Sequence, residues 1–170
     1  MLTRDFVRDT LNRFGSEVVS QSRANFLRKN VTGKGSRSID YDLQAFPNSF
    51  QLEFEMEDYM EYQDKGVSGV KKSYNTPYRY TNKMPPPSAF DQWSIRRGLA
   101  GTRDKQGRFI ARKAINYALA RHIYQQGIKP SKFFTKAFES AFRDLPDELV
   151  EAYGLDAKEL MAATLNAKRS

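Results

Sequence analysis

Over residues 38–56 apolar and polar side chains alternate with a strict period of two. Ile39, Tyr41, Leu43 and Ala45 interleave with Asp40, Asp42 and Gln44. After Phe46-Pro47-Asn48-Ser49, Phe50, Leu52, Phe54 and Met56 interleave with Gln51, Glu53 and Glu55. Successive side chains of a strand point to opposite faces, so the pattern predicts two half-buried strands joined as a hairpin. A turn at Pro47-Asn48 sets the register. Tyr41 then faces Phe54 and Leu43 faces Leu52 on the core side. On the other side Asp40 faces Glu55 and Asp42 faces Glu53. Like charges directly opposed are unfavourable, so positive charge is expected from outside the hairpin.

Charge is segregated along the whole chain. The net charge is +8 over 170 residues. Residues 39–64 hold eight acidic and no basic side chains, whereas residues 65–136 hold sixteen basic and two acidic ones. A uniformly basic coat would point to nucleic acid or an anionic membrane. Adjoining acidic and basic blocks also suit self-association, in which the acidic face of one copy meets the basic face of the next. The length allows one domain with an ordinary core, and 39% hydrophobic content excludes a disordered composition. No apolar run approaches membrane-spanning length, so no membrane partner is expected. The N-terminal Met1-Leu2-Thr3-Arg4-Asp5 lacks the apolar stretch of a secretory signal.

Catalytic chemistry finds little to use. There is no cysteine and a single histidine, His122. His122 has no acidic neighbour in sequence and falls on an apolar helical stripe, and the serines lack a recognisable base. Asp40, Asp42, Glu53 and Glu55 project from a flat strand face and do not converge as hard-cation ligands do. The expectation is no enzyme, no cofactor and no metal.

The remainder reads as helices and one long loop. A helix over 3–30 carries Val7, Leu11, Phe14 and Val18, weakened at Gly15 by about 1 kcal/mol relative to alanine. A helical turn at about 57–66 places Tyr59 and Tyr62 on one side. Residues 66–87 have no periodicity, and an extended loop of that length inside a domain is more often functional than accidental. It cannot support itself hydrophobically and is expected to be ordered by a neighbouring chain. Its Tyr74, Tyr78 and Tyr80, with Lys71, Lys72, Arg79 and Lys83, form a candidate interface loop. Ser88 and Asp91 resemble a capping box for a helix over 88–97. A helix over 108–126 places Ala111, Ile115, Ala118, Leu119 and His122 on one face. Ser131 is placed to cap a helix burying Phe134, Ala137, Phe138 and Ala141. A final helix is expected from Asp156, with Glu159 in a capping box and Leu155 stapled to Leu160. The fold class is α+β: a small antiparallel sheet packed against a long N-terminal helix and C-terminal helices. The expected division is a domain over 1–145 with a C-terminal helical extension over 146–170.

Two functional classes remain. Interleaved tyrosines and basic residues at 66–87 suit a nucleic-acid-binding module, although no helix–turn–helix, zinc-finger or aromatic RNA-binding motif is present. The order of features over roughly residues 5–142 instead resembles the neck or tail-completion proteins of tailed double-stranded DNA phages. The resemblance rests on the long N-terminal helix, then Thr32-Gly33 leading to Arg37-Ser38-Ile39, then Tyr59-Met60-Glu61-Tyr62 to Gly66. It continues through Ile110-Ala111-Arg112-Lys113 and Ile123-Tyr124-Gln125-Gln126-Gly127 into Lys129-Pro130-Ser131-Lys132-Phe133-Phe134. The chain departs from the compact pattern in its long 66–87 loop and in a helix after 146. The resemblance implies a structural virion protein, assembled in the host cytoplasm. It would form a ring, six- or twelvefold, between the portal-side connector and the tail. Its partners would be further copies, neighbouring connector and tail proteins, and genomic DNA passing through the lumen without sequence-specific recognition. Asp40, Asp42, Glu53 and Glu55 would then form a subunit interface or line the channel.

Overall fold

A line of small and apolar residues at spacings of three and four organises the first helix. In the computed structural model, which describes residues 5–27 and 33–167, α1 spans Asp5–Phe26 and buries Val7, Thr10, Phe14, Val18, Ser22 and Phe26. Gly15 and Val19 widen the stripe. The expected helix ends at 3–4 and 28–30 lie outside the described residues. The chain forms two compact units. The first comprises Met1–Arg28, Lys34–Met56 and Phe133–Ser170, and the second Lys29–Gly33 and Glu57–Lys132.

The first unit is the expected α+β layer. After a short helix α2 (Lys34–Ser38), strands β1 (Asp40–Ala45) and β2 (Phe50–Glu55) pair antiparallel in the register set by the alternation. The hairpin packs its apolar face on α1, with α6 (Phe133–Phe142) and α7 (Leu145–Ala167) completing the layer. The core is aromatic. Phe54 lies between Phe14 at 6.1 Å and Phe134 at 5.4 Å, both edge-to-face, and Phe138 contacts Phe14 at 5.6 Å. Such pairs contribute about 0.5–1.5 kcal/mol each beyond their burial. Phe134 and Phe138 are half-buried in this cluster, while Phe133 and Ala137 are the fully buried positions of α6, Phe133 against Phe26 at 4.7 Å.

Gly15 is where the hairpin reaches α1. A Cβ at this position would meet the Tyr41 ring at 2.6 Å. The ring is held there, its hydroxyl donating to the Asn12 carbonyl at 3.2 Å. The glycine that weakens the isolated helix therefore admits the aromatic ring that packs the sheet on it.

The division expected at 145/146 does not coincide with the observed one. α7 begins at Leu145, not at Asp156, and packs on α1 within the first unit. Pro146 sits in its first turn, where the missing N–H costs nothing, and Asp147 and Glu148 complement the helix dipole. Asp156 lies within α7 and caps a different helix. Its two carboxylate oxygens accept the backbone N–H groups of Phe6 and Val7, each at 3.2 Å, at the start of α1. The Leu155, Asp156 and Glu159 spacing imitates a helix start because the acidic residue is indeed a cap, supplied across space.

The second unit contains α3 (Asp58–Lys65), β3 (Val67–Ser68), a 3-10 turn Pro87–Phe90, α4 (Asp91–Arg96), α5 (Arg112–Gln126) and β4 (Gly127–Ile128). Strands β3 and β4 pair antiparallel, closed by Gly127 at φ 73°, where a Cβ would strike the Val67 carbonyl. The 66–87 loop is ordered by its own chain, contrary to the expectation that a neighbour would order it. Val70 and Lys71 donate backbone N–H groups to the Tyr124 and Gln125 carbonyls, satisfying acceptors that the C-terminus of α5 would leave unpaired. Ser68 exchanges backbone hydrogen bonds with Tyr78 and Tyr80, and its hydroxyl bonds both the N–H and the carbonyl of Tyr74. These bonds leave no hydrophobic period for sequence reading to detect.

The other helices start differently from expectation. Neither Ser88 nor Asp91 makes a side-chain cap; Asp91 Oδ1 instead accepts from Asn116 and from Arg112, each at 2.9 Å, tying α4 to α5. Residues 103–109 form a tight hairpin with a bridge between Arg103 and Phe109, so α5 begins four residues later than expected, at Arg112. Its buried positions are Asn116 and Ala120, and His122 is exposed. Only small side chains fit there, because the 3-10 turn and α4 pack close. Ser131 donates to the Gln63 carbonyl and does not cap α6.

Two substitutions test these contacts. Gly15→Ala, favourable by about 1 kcal/mol in an isolated helix, is expected to destabilise the fold by about 1–3 kcal/mol through overpacking on Tyr41. A stabilised variant in urea unfolding would contradict the close approach. Asp156→Ala is expected to cost about 1–2 kcal/mol by uncapping α1, and an unchanged denaturation midpoint would contradict the cap.

Candidate functional site

The hairpin's exposed face holds three cross-strand rows: Asp40 opposite Glu55, Asp42 opposite Glu53, and Gln44 opposite Gln51. All six residues are exposed, while Tyr41, Leu43, Leu52 and Phe54 on the reverse face are half-buried. All four predicted carboxylates are thus brought onto one surface. Directly opposed side chains stand about 5 Å apart at Cβ, where two unit charges repel by about 1 kcal/mol even in water. The hairpin relieves part of this itself. Gln44 donates its amide to Asp42 Oδ2 at 2.7 Å, and Gln51 donates to Glu53 Oε1. None of the ion pairs among the described residues involves these four carboxylates. Nor is any group of three or more Asp, Glu or His side chains among the described residues arranged to hold a metal ion. The face can therefore accept cations or N–H donors from another molecule.

The 66–87 loop divides its candidate residues. Lys71, Lys72, Arg79 and Lys83 are exposed, but Tyr74, Tyr78 and Tyr80 are half-buried. Tyr78 packs edge-to-face on Tyr62 at 4.7 Å, and Tyr80 tilts against Tyr124 at 6.3 Å. Lys72 lies over the Tyr74 ring at 5.5 Å. The Glu61 carboxyl is held below its usual range, first by the Lys65 ammonium at 2.6 Å and then by the Tyr78 hydroxyl. The nearby Glu61 carboxylate raises the Tyr78 phenol, and burial raises that of Tyr80. These tyrosines serve the fold of the second unit more than they present rings outward.

Most of the second unit's exposed basic side chains lie beyond the loop. Residues 66–132 contain fourteen Lys and Arg side chains, every one exposed, and two acidic ones, Asp91 and Asp104. Both acids are already held by arginines: Asp91 by Arg112 and Asp104 by Arg108 at 3.0 Å. Seven of the basic residues fall within 96–113. Sequence reading treats that stretch as a turn and a helix start. A count of charge over a sliding window would have singled it out.

The influence of Glu61 on the Tyr78 phenol has a measurable consequence. Glu61→Gln removes the negative acceptor and is expected to shift the Tyr78 phenol titration to lower pH, towards that of an ordinary tyrosine. Carbon-13 NMR of labelled tyrosine, with Tyr78→Phe to assign the signal, follows it. A titration unmoved by Glu61→Gln would show that Glu61 does not act on Tyr78 in solution.

No family model matches the chain, and no curated protein or solved structure matches it.

Proposed function

We propose that the chain is a structural virion protein that assembles into a ring at a phage head–tail junction, joining the portal-side connector to the tail. The observation that carries this reading is the hairpin face, on which four carboxylates stand exposed with no basic partner among the described residues. A second support is the exposed basic surface of residues 66–132, whose own acids are neutralised internally. A ring requires heterologous, head-to-tail contacts, in which two different patches of each copy meet. An acidic patch and a basic patch on one chain meet that requirement. The order of elements that resembles the neck and tail-completion proteins supports the same reading.

Magnitudes assign the roles. Exposed ion pairs contribute only about 0.2–1 kcal/mol each, so the charges would set orientation and register more than they hold the ring. Cohesion must come from apolar burial. The first unit has apolar surface available on α7, where Val150 is 75% and Met161 67% exposed, with Tyr153 between them.

Reversing Asp42 and Glu53 to lysine tests the reading. Circular dichroism should be that of the folded protein, and electron microscopy should find rings with the parent chain and none with the variant. Rings unchanged in the double variant would refute the acidic face as the contact.

A further inference from the structure

We infer that the second unit carries a binding surface for single-stranded nucleic acid, built from α4, the 103–109 hairpin and the start of α5. It lies within the basic residues 66–132 that the ring reading also uses, so the two occupants would compete for it, and it lies away from the 66–87 loop. Two arginine–aromatic pairs carry it. Arg97 lies over the Trp93 ring at 5.7 Å, and Arg103 lies over the Phe109 ring at 4.0 Å. Both rings remain open to solvent, Trp93 40% and Phe109 68% exposed. Large aromatic side chains left outside on a strongly basic surface are the combination that stacks on bases while cations hold phosphates.

The two pairs belong to one packed substructure. The 3-10 turn Leu99–Gly101 packs on both α4 and α5 and leads into the hairpin. Asp91 bonds Arg112 and Asn116 and so fixes the first turn of α5 against α4. Charge is concentrated here: residues 96–113 hold seven basic side chains and one acidic one, Asp104, which is bound by Arg108. The start of α5 points the same way. It has no side-chain cap and carries Arg112 and Lys113 in its first turn, with no acidic residue of its own there. Basic residues at a helix N-terminus oppose its dipole. Arg112 is already engaged by Asp91, so a phosphate at that position would meet the Lys113 ammonium and the first-turn N–H groups that do not bond the Ala111 carbonyl.

An acidic protein face is the rival occupant, since it too would satisfy the cations. It gives no reason for two exposed rings under arginines, whereas unpaired bases do. Paired bases present no free π-face, so duplex DNA would use the charge and leave the rings idle.

Trp93 is the only tryptophan in the chain, so its fluorescence reports stacking directly. Oligothymidylate titrated into the full chain is expected to quench Trp93 to saturation. Affinity should fall more than tenfold between about 50 and about 200 mM salt. The double variant Arg97→Ala/Arg103→Ala, and separately Phe109→Ser, should weaken binding by about tenfold with circular dichroism unchanged. Lys71→Ala/Lys72→Ala/Arg79→Ala should weaken it by less than about threefold. The assignment would be overturned by no binding at low salt, by binding without quenching, by polyglutamate competing as well as the oligonucleotide, or by a duplex binding more tightly than the single strand. Loss of binding confined to the loop variant would also overturn it, by placing the site at 66–87. The titration uses chain diluted until its native mass is that of one copy, so a failure to form rings leaves these outcomes unaltered.

Discussion

The register of one hairpin constrains the rest of the first unit. Side chains on a strand alternate, so a slip of one residue would bury Asp42 and Glu53 and expose Phe54 and Leu52. Burying Phe54 among Phe14, Phe134 and Phe138 therefore compels Asp40 to face Glu55 and Asp42 to face Glu53. The repulsion of roughly 1 kcal/mol per pair is small against several kcal/mol of aromatic burial. The hairpin forms in spite of it, and the cost stands on the surface, where an incoming cation could remove it.

The second unit obeys a different rule. Among the described residues its fully buried hydrophobic side chains are few: Met60, Val67 and Ala120. Much of its order comes from backbone groups that find partners at helix and strand ends. Val70 and Lys71 close the end of α5, Ser68 staples three tyrosine backbones, and Ser131 reaches Gln63. A unit built in this way can leave most of its side chains outside, and here those side chains are overwhelmingly basic.

This contrast explains what was legible in the sequence. The hairpin register could be read residue by residue because period two and a half-buried face leave one solution. The stripe of α1 was legible for the same reason, and so were the four exposed carboxylates. What could not be read depends on partners distant in sequence. Asp156 caps a helix that begins some 150 residues earlier, so a local pattern made it look like a helix start. Gly15 looks like a defect until Tyr41 is placed over it. Residues 66–87 look unsupported because backbone hydrogen bonds have no sequence signature, and their tyrosines consequently turn inward, away from a partner. The Trp93–Arg97 and Phe109–Arg103 pairs were hidden differently. Each residue was visible, but only the fold stacks cation on ring.

The central claim is that the exposed acidic and basic surfaces exist to meet each other on successive copies. The most direct measurement is the native mass of the purified chain at low salt and tens of micromolar concentration. The account predicts a closed assembly of six or twelve copies of the 19.6 kDa chain, dissociating as salt screens the contact. A mass of one chain at every salt concentration would contradict it.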